Sequence, residues 1–178
     1  MSRPVSVSTV VSVDTLPMTL ETREQDGSQM DALDPSVDIA RVMIVDDHAL
    51  IRDSLQSWLD RRPDIQVVAS VATVREAVAA LAYWDLQGVL VDHALSDGSG
   101  MDVLRAMAAV GCGASFVVLT GNADPVLIQE YVAAGASGFL TKGISGKRIA
   151  DYVRDSADGL RAFDEAATEG LVAAVSMP

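Results

Sequence analysis

GVLVDHALSDGSG (residues 88–100) opens on an apolar run, Val89-Leu90-Val91, and ends that run on a carboxylate, Asp92. It then turns at once into small and polar residues. A short, unbroken apolar run bounded by turn residues reads as a strand buried on both faces, the kind found in parallel sheets. Asp92 therefore stands at the carboxyl end of a central strand. Working outward, the pattern recurs. Val42-Met43-Ile44-Val45 ends in Asp46-Asp47, Phe116-Val117-Val118-Leu119 ends in Thr120, and Gly138-Phe139-Leu140-Thr141 ends in Lys142.

Between these runs lie segments with helical spacing. The expected strands are about 41–46, 65–70, 88–92, 115–120 and 137–141. The expected helices are about 48–61, from 73, 100–110, 124–135 and 145–157. Inward faces are read as Ile51, Leu55, Trp58 and Leu59 in the first helix, and Val74, Ala77, Val78 and Leu81 in the second. Met101, Leu104 and Met107 mark the third, and Ile149, Tyr152 and Val153 the fifth. Thr73 with Glu76 forms a capping-box pattern, and Asp124-Pro125 a cap followed by proline in the first turn. Strands alternating with helices imply an α/β fold: a doubly wound parallel sheet with helices on both faces. Ligands in such sheets bind beyond the carboxyl ends of the strands, where all the singled-out residues fall.

Three carboxylates drawn together need a reason, because like charges 4 Å apart repel by about 4 kcal/mol at an effective dielectric of 20. A bound divalent cation is the usual one, and Mg2+ takes oxygen ligands. A hydroxyl (Thr120) and an ammonium (Lys142) suit the oxygens of a phosphoryl group. Lysine is scarce in this chain: Lys142 and Lys147 stand against eleven arginines.

The bulk composition narrows the function. At 178 residues and 49% hydrophobic, the chain can build one cored domain with extensions. A net charge of −12 argues against sequence-independent binding of nucleic acid or of anionic membranes. The single cysteine, Cys112, fits a reducing compartment. No leader and no apolar span of roughly 20 residues is evident, so the expectation is a soluble, cytoplasmic protein. Residues 1–39 carry seven acidic residues against Arg3 and Arg23 and show no helical period, and they read as a disordered acidic extension. The alternation Val5, Val7, Val11, Val13 leaves a weak strand or a partner-ordered segment open. In 159–178, Asp164 could cap a short helix bearing Leu171, Val172 and Val175.

Four stretches, VMIVDDHALIRDSL (42–55), GVLVDHALSDGSGMDVL (88–104), VVLTGNAD (117–124) and AAGASGFLTK (133–142), resemble the receiver domain of two-component response regulators. Their wording is similar to receivers that carry a LuxR-type helix-turn-helix output domain. The resemblance covers about residues 40–158 and implies the flavodoxin-like strand order 2-1-3-4-5. It implies Asp92 as phosphoacceptor and Asp47 as a direct Mg2+ ligand. It further implies Asp46 acting on the metal mainly through water, the main-chain carbonyl of Ala94 as a third ligand, and Thr120 and Lys142 on the phosphoryl oxygens. Phe139 takes the aromatic switch position, rotating inward as Thr120 moves toward the phosphoryl group. The donor would be a histidine kinase or histidine phosphotransfer protein, and the output face the fourth helix, fifth strand and fifth helix. Departures from the family pattern are Ser96 and Gly143, both where proline is common, and Gly121 after Thr120. Ala94 and Asn122 flank the pocket. The tail at 159–175 resembles the linker into a helix-turn-helix domain.

Several readings stay open. One is a single-domain receiver, not an enzyme beyond its own phosphorylation and dephosphorylation. It would signal by protein contacts, as a possible homodimer, without touching DNA. Another is the receiver part of a LuxR-type DNA-binding regulator, and a third is a receiver that works without phosphorylation. A haloacid dehalogenase-type phosphatase shares the chemistry but places its nucleophile on the first strand, in a motif that Asp46-Asp47-His48 does not fit. Residue by residue, Asp46-Asp47 could be a helix cap pair, Phe139 core filler, and Asp92, Thr120 and Lys142 ordinary strand-end residues. His48 and His93 read as non-ligands, and Cys112 as a turn residue.

Overall fold

A computed structural model describes residues 38–121 and 123–175. Most of the acidic extension, Asn122 and the last three residues lie outside the described residues, as do the side chains of residues 173–175. The elements in chain order are β1 (Ala40–Val45), α1 (Ala49–Leu59), β2 (Ile65–Val71), α2 (Val74–Leu81) and β3 (Gly88–Asp92). Then come β4 (Ala94–Leu95), β5 (Gly98–Ser99), α3 (Gly100–Ala109), β6 (Ser115–Thr120) and α4 (Pro125–Ala133). The chain closes with β7 (Gly138–Thr141), α5 (Gly146–Ala157), β8 (Ala162–Phe163) and α6 (Glu165–Val175).

The main sheet runs β2-β1-β3-β6-β7-β8, with every pairing parallel. Its first five members reproduce the expected order 2-1-3-4-5. The strands alternate their side chains between two cores, as the period of two requires. Met43, Val45, Val89, Val91, Phe116, Val118 and Phe139 face one cluster, which includes residues of α2, α3, α4 and α6. Val42, Ile44, Leu90, Val117, Leu119 and Leu140 face the other, with α1 and α5. β3 is buried from end to end, because both of its faces are covered.

Helix starts follow local chemistry. Thr73 Oγ1 accepts from Glu76 N at 3.2 Å, while the Glu76 carboxylate reaches back to Ala72 N rather than to the cap residue. Asp124 accepts from Val126 N with Pro125 in the first turn, and α4 is followed by Gly135 at φ +100°. The inward face of α2 holds at Val74, Ala77 and Leu81 and differs from expectation at Val78. Ala77 and Ala80 are buried and Val78 is exposed, because α2 approaches the sheet on its small residues. On α1, Leu55 and Leu59 are buried while Trp58 stays partly exposed under the Arg61 guanidinium.

Two features were not anticipated. β4 and β5 form a small antiparallel hairpin directly after Asp92, pairing Ala94 with Ser99. Asp97 in its turn caps a distant helix, accepting from Val74 N and Arg75 N at 2.7 and 3.1 Å. Beyond β7, the segment after α5 adds the sixth strand, β8. A Cβ on Gly138 would lie 2.4 Å from Ala162 O, so only glycine permits this approach. α6 then folds back, with Ala167 fully buried, Leu171 packed on the core and Val172 exposed.

Candidate phosphoryl-acceptor site

The carboxyl ends of β1, β3, β6 and β7 converge, and the side chains they carry meet there. Asp46, Asp92 and Thr120 are buried, at 1%, 4% and 5% exposure. Lys142 follows β7 and its N–H donates to Thr120 O at 2.7 Å, which ties its loop to the end of β6. The Lys142 ammonium donates to Asp92 Oδ2 at 2.6 Å and to Asp46 Oδ2 at 3.1 Å. Burial works against this ammonium, but the two carboxylates outweigh it and hold its pKa above the ordinary lysine value. Asp46 also accepts from His48 N at 2.8 Å through its other oxygen, so it shapes the entry to α1 as well as the site. His48 is the N-cap residue but makes no side-chain cap bond.

Asp47 completes the acidic group. Its Oδ1 is buried without a hydrogen-bond donor. His48 Nδ1 comes within 2.8 Å of it, but without hydrogen-bond geometry. Ligand atoms of Asp46, Asp47, His48 and Asp92 all lie within 4.8 Å of one another. Two of the three carboxylates, Asp46 and Asp92, share the Lys142 ammonium, and the orphaned Asp47 oxygen lies beside them. A group that is short of positive charge and of donors fits a divalent cation with oxygen ligands. His48 joins this cluster more closely than its place in the sequence indicated. Ala94 sits in β4, two residues beyond Asp92.

His93 turns away from the carboxylates. Its Nδ1 lies 3.0 Å from the hydroxyl of Tyr131, a wholly buried residue of α4. Burial holds the Tyr131 hydroxyl well above its usual pKa, so it stays protonated. The Tyr131 ring lies 6.0 Å from Phe139 edge-on and 6.4 Å from Phe116. Phe139 itself is fully buried. Sequence reading did not find Tyr131, because one tyrosine inside an apolar helix carries no signal of its own.

A parallel sheet in this order, with acids ending β1 and β3, a hydroxyl ending β6 and a lysine after β7, describes a receiver. The family model for the response regulator receiver domain matches residues 42–154, and the chain belongs to that family. It is similar to the transcriptional regulatory protein UhpA of Salmonella typhimurium, 33% identical over 118 residues, 66% of this chain and 59% of the relative. It is also similar to the DNA-binding transcriptional activator DevR/DosR of Mycobacterium tuberculosis, 29% identical over 135 residues, 76% of this chain and 62% of the relative. The chain thus spans about three fifths of the length of these curated relatives. In fold it is similar to a LuxR-family two-component response regulator from Aurantimonas sp. SI85-9A1. That match has a TM-score of 0.74 and 24% identity, covering 78% of this chain and 99% of that one. No helix among the described residues is long and apolar enough to cross a membrane.

Proposed function

We propose that this chain is a phosphorylated receiver that takes a phosphoryl group on Asp92 from a histidine kinase or histidine phosphotransfer protein and signals by protein contacts. The observation that carries this reading is the convergence of Asp92 and Asp46 on the Lys142 ammonium beside the orphaned oxygen of Asp47. A Mg2+ ion would be held by Asp47, Asp92 and the Ala94 carbonyl, with Asp46 reached through water, and would supply positive charge to the transferring group. In this reading residues 40–158 are the receiver and 159–178 an attached tail.

A carboxylate oxygen of Asp92 attacks phosphorus in line, forming a P–O bond as the P–N bond of phosphohistidine breaks. The electron pair returns to the imidazole nitrogen of the donor, which takes up a proton. Lys142 keeps its positive charge beside the acceptor and follows the phosphoryl oxygens, and the Thr120 hydroxyl meets another of them. The chain is no enzyme in this reading beyond its own phosphorylation and dephosphorylation.

Incubation with Mg2+ and acetyl phosphate tests the reading. Wild type should gain about 80 Da, one phosphoryl group, and Asp92→Asn should gain nothing while keeping its circular dichroism spectrum. Labelling that persists in Asp92→Asn would move the acceptor elsewhere. A second reading is favoured by the relatives, which are transcriptional regulators by name: the receiver works as part of a DNA-binding regulator. Reading the coding sequence past residue 178 into a helix-turn-helix decides for it, and an in-frame stop decides against it.

A further inference from the structure

The fourth helix, fifth strand and fifth helix were the expected output face, and the chain's own C-terminal segment lies on part of it. β8 pairs with the edge of β7, Gly138 opposite Ala162 and Phe139 opposite Phe163. α6 lies against α4 through small residues. A Cβ on Gly170 would meet Ile128 Cδ1 at 2.9 Å and Ala123 O at 3.4 Å.

One residue clasps this segment to the acceptor side. Asp164 is buried, and its carboxylate spans two elements. Oδ2 accepts from Thr141 N at 2.6 Å and from Thr141 Oγ1 at 2.7 Å. Oδ1 accepts from Ala167 N at 2.8 Å, in the first turn of α6. Asp164 N donates to the carbonyl of Phe139, the switch-position residue, at 3.4 Å. Thr141 immediately precedes Lys142, whose ammonium rests on Asp92. A carboxylate is a rigid fork, so the end of β7 cannot shift without straining the start of α6.

The docked elements are short. β8 has two residues, and α6 carries a glycine in its interior, which lowers helix stability. A helix of this kind owes its order to packing rather than to propensity. α6 makes its contact largely through Ala167, Gly170 and Leu171, and β8 through Ala162 and Phe163.

We propose that β8–α6 is a displaceable cover on the α4–β7 face, clasped by Asp164 to the strand that leads into Lys142, and that phosphorylation of Asp92 releases it. This rests on Asp92 being the phosphoacceptor. Phosphorylation replaces the Asp92 carboxylate with a bulkier group, Lys142 follows its oxygens, and the end of β7 pulls on the clasp. The part that moves is the segment paired over Phe139, which is itself buried. The vacated face, with Ile128 and Leu127 of α4, fits a partner helix carrying small residues where α6 has Ala167 and Gly170.

Hydrogen exchange on the full chain tests both halves. With Mg2+ and beryllium fluoride, peptides from 162–175 should exchange at least about tenfold faster, as a released sub-global unit does. Peptides from 92–95 and 141–143 should slow. Without beryllium fluoride, Asp164→Asn should speed 162–175, with the Thr141 amide the one position outside that segment free to follow, because an amide has one acceptor oxygen and cannot serve both Thr141 and Ala167. Gly170→Leu should do the same without touching the sheet. Exchange at 162–175 that matches wild type in both variants overturns the clasped cover. Slowed exchange at 92–95 with unchanged exchange at 162–175 overturns the coupling. No change at 92–95 removes the phosphoacceptor reading beneath the coupling, and the two variants then decide the cover on their own.

Discussion

Two buried carboxylate sites lie on either side of the Thr141–Lys142 peptide, and they are built on opposite principles. Asp164 is satisfied: its oxygens accept from Thr141 and Ala167, and no charged partner is needed. The Asp46–Asp47–Asp92 group is unsatisfied: a single ammonium serves Asp46 and Asp92, and one Asp47 oxygen has no hydrogen-bond donor. Neutral donors in fixed positions make a joint. Surplus negative charge around one movable lysine makes a site that gains from a cation and a phosphoryl group. Burial alone does not separate the two, since Asp164 at 2% and Asp92 at 4% exposure are nearly equal. What separates them is the company they keep.

The largest expected effect breaks the comparison at the metal. Asp47→Ala should weaken Mg2+ binding by at least roughly 100-fold, since losing a direct ligand costs no less than losing a supporting partner does. Asp164→Ala should leave it within about twofold. Isothermal titration with Mg2+ measures both. Equal affinities in wild type and Asp47→Ala would remove Asp47 from the site.

A smaller effect should follow from Lys142→Ala. Removing the one ammonium leaves two buried carboxylates facing each other, and stability without Mg2+ should fall by roughly 2 kcal/mol. That is less than for a wholly buried pair, because the Lys142 side chain is 22% exposed. The stabilisation gained on adding Mg2+ should grow in the variant, and phosphoryl transfer should slow. In wild type the raised pKa of Lys142 means its contribution is fully present below the unfolded value of about 10.5. It fades only as pH climbs through the higher folded value, so neutral pH leaves it intact. Thermal melts with and without Mg2+ check this, and a variant as stable as wild type would show that the lysine carries no structural charge balance.

The acidic cluster with Thr120 and Lys142 was legible because each member ends or follows an apolar run, and a parallel sheet brings the carboxyl ends of such runs to one edge. Strand order followed from the family resemblance and holds for the first five strands. The cover was half legible. Asp164 reads as the cap of a short helix bearing Leu171, Val172 and Val175, but nothing in that run says which of them faces in. β8, however, has two residues, too few for any period to show. Its docking depends on the missing side chain of Gly138, which a sequence does not connect to Ala162. The α2 face misled for a related reason: Val78 is the larger apolar residue, but the helix approaches the sheet on Ala77 and Ala80. The capping of α2 by Asp97, 23 residues from Val74, is a tertiary contact with no local trace.

The smallest effect sharpens the comparison at the joint itself. Thr141→Val keeps the shape and the backbone N–H that donates to Asp164 Oδ2, and removes only the hydroxyl that donates to the same oxygen at 2.7 Å. A hydrogen bond to a charged group contributes roughly 1.5–3 kcal/mol, and the remaining donor keeps the oxygen satisfied, so the loss should be about 1 kcal/mol. It should appear as faster exchange in 162–175 and not in β3, because the hydroxyl joins the sheet to the segment after α5. Mg2+ affinity should not change, although the substitution sits next to Lys142. If Mg2+ binding moves and exchange at 162–175 does not, Thr141 belongs to the charged site and the two carboxylate sites are one network, not a joint beside a switch.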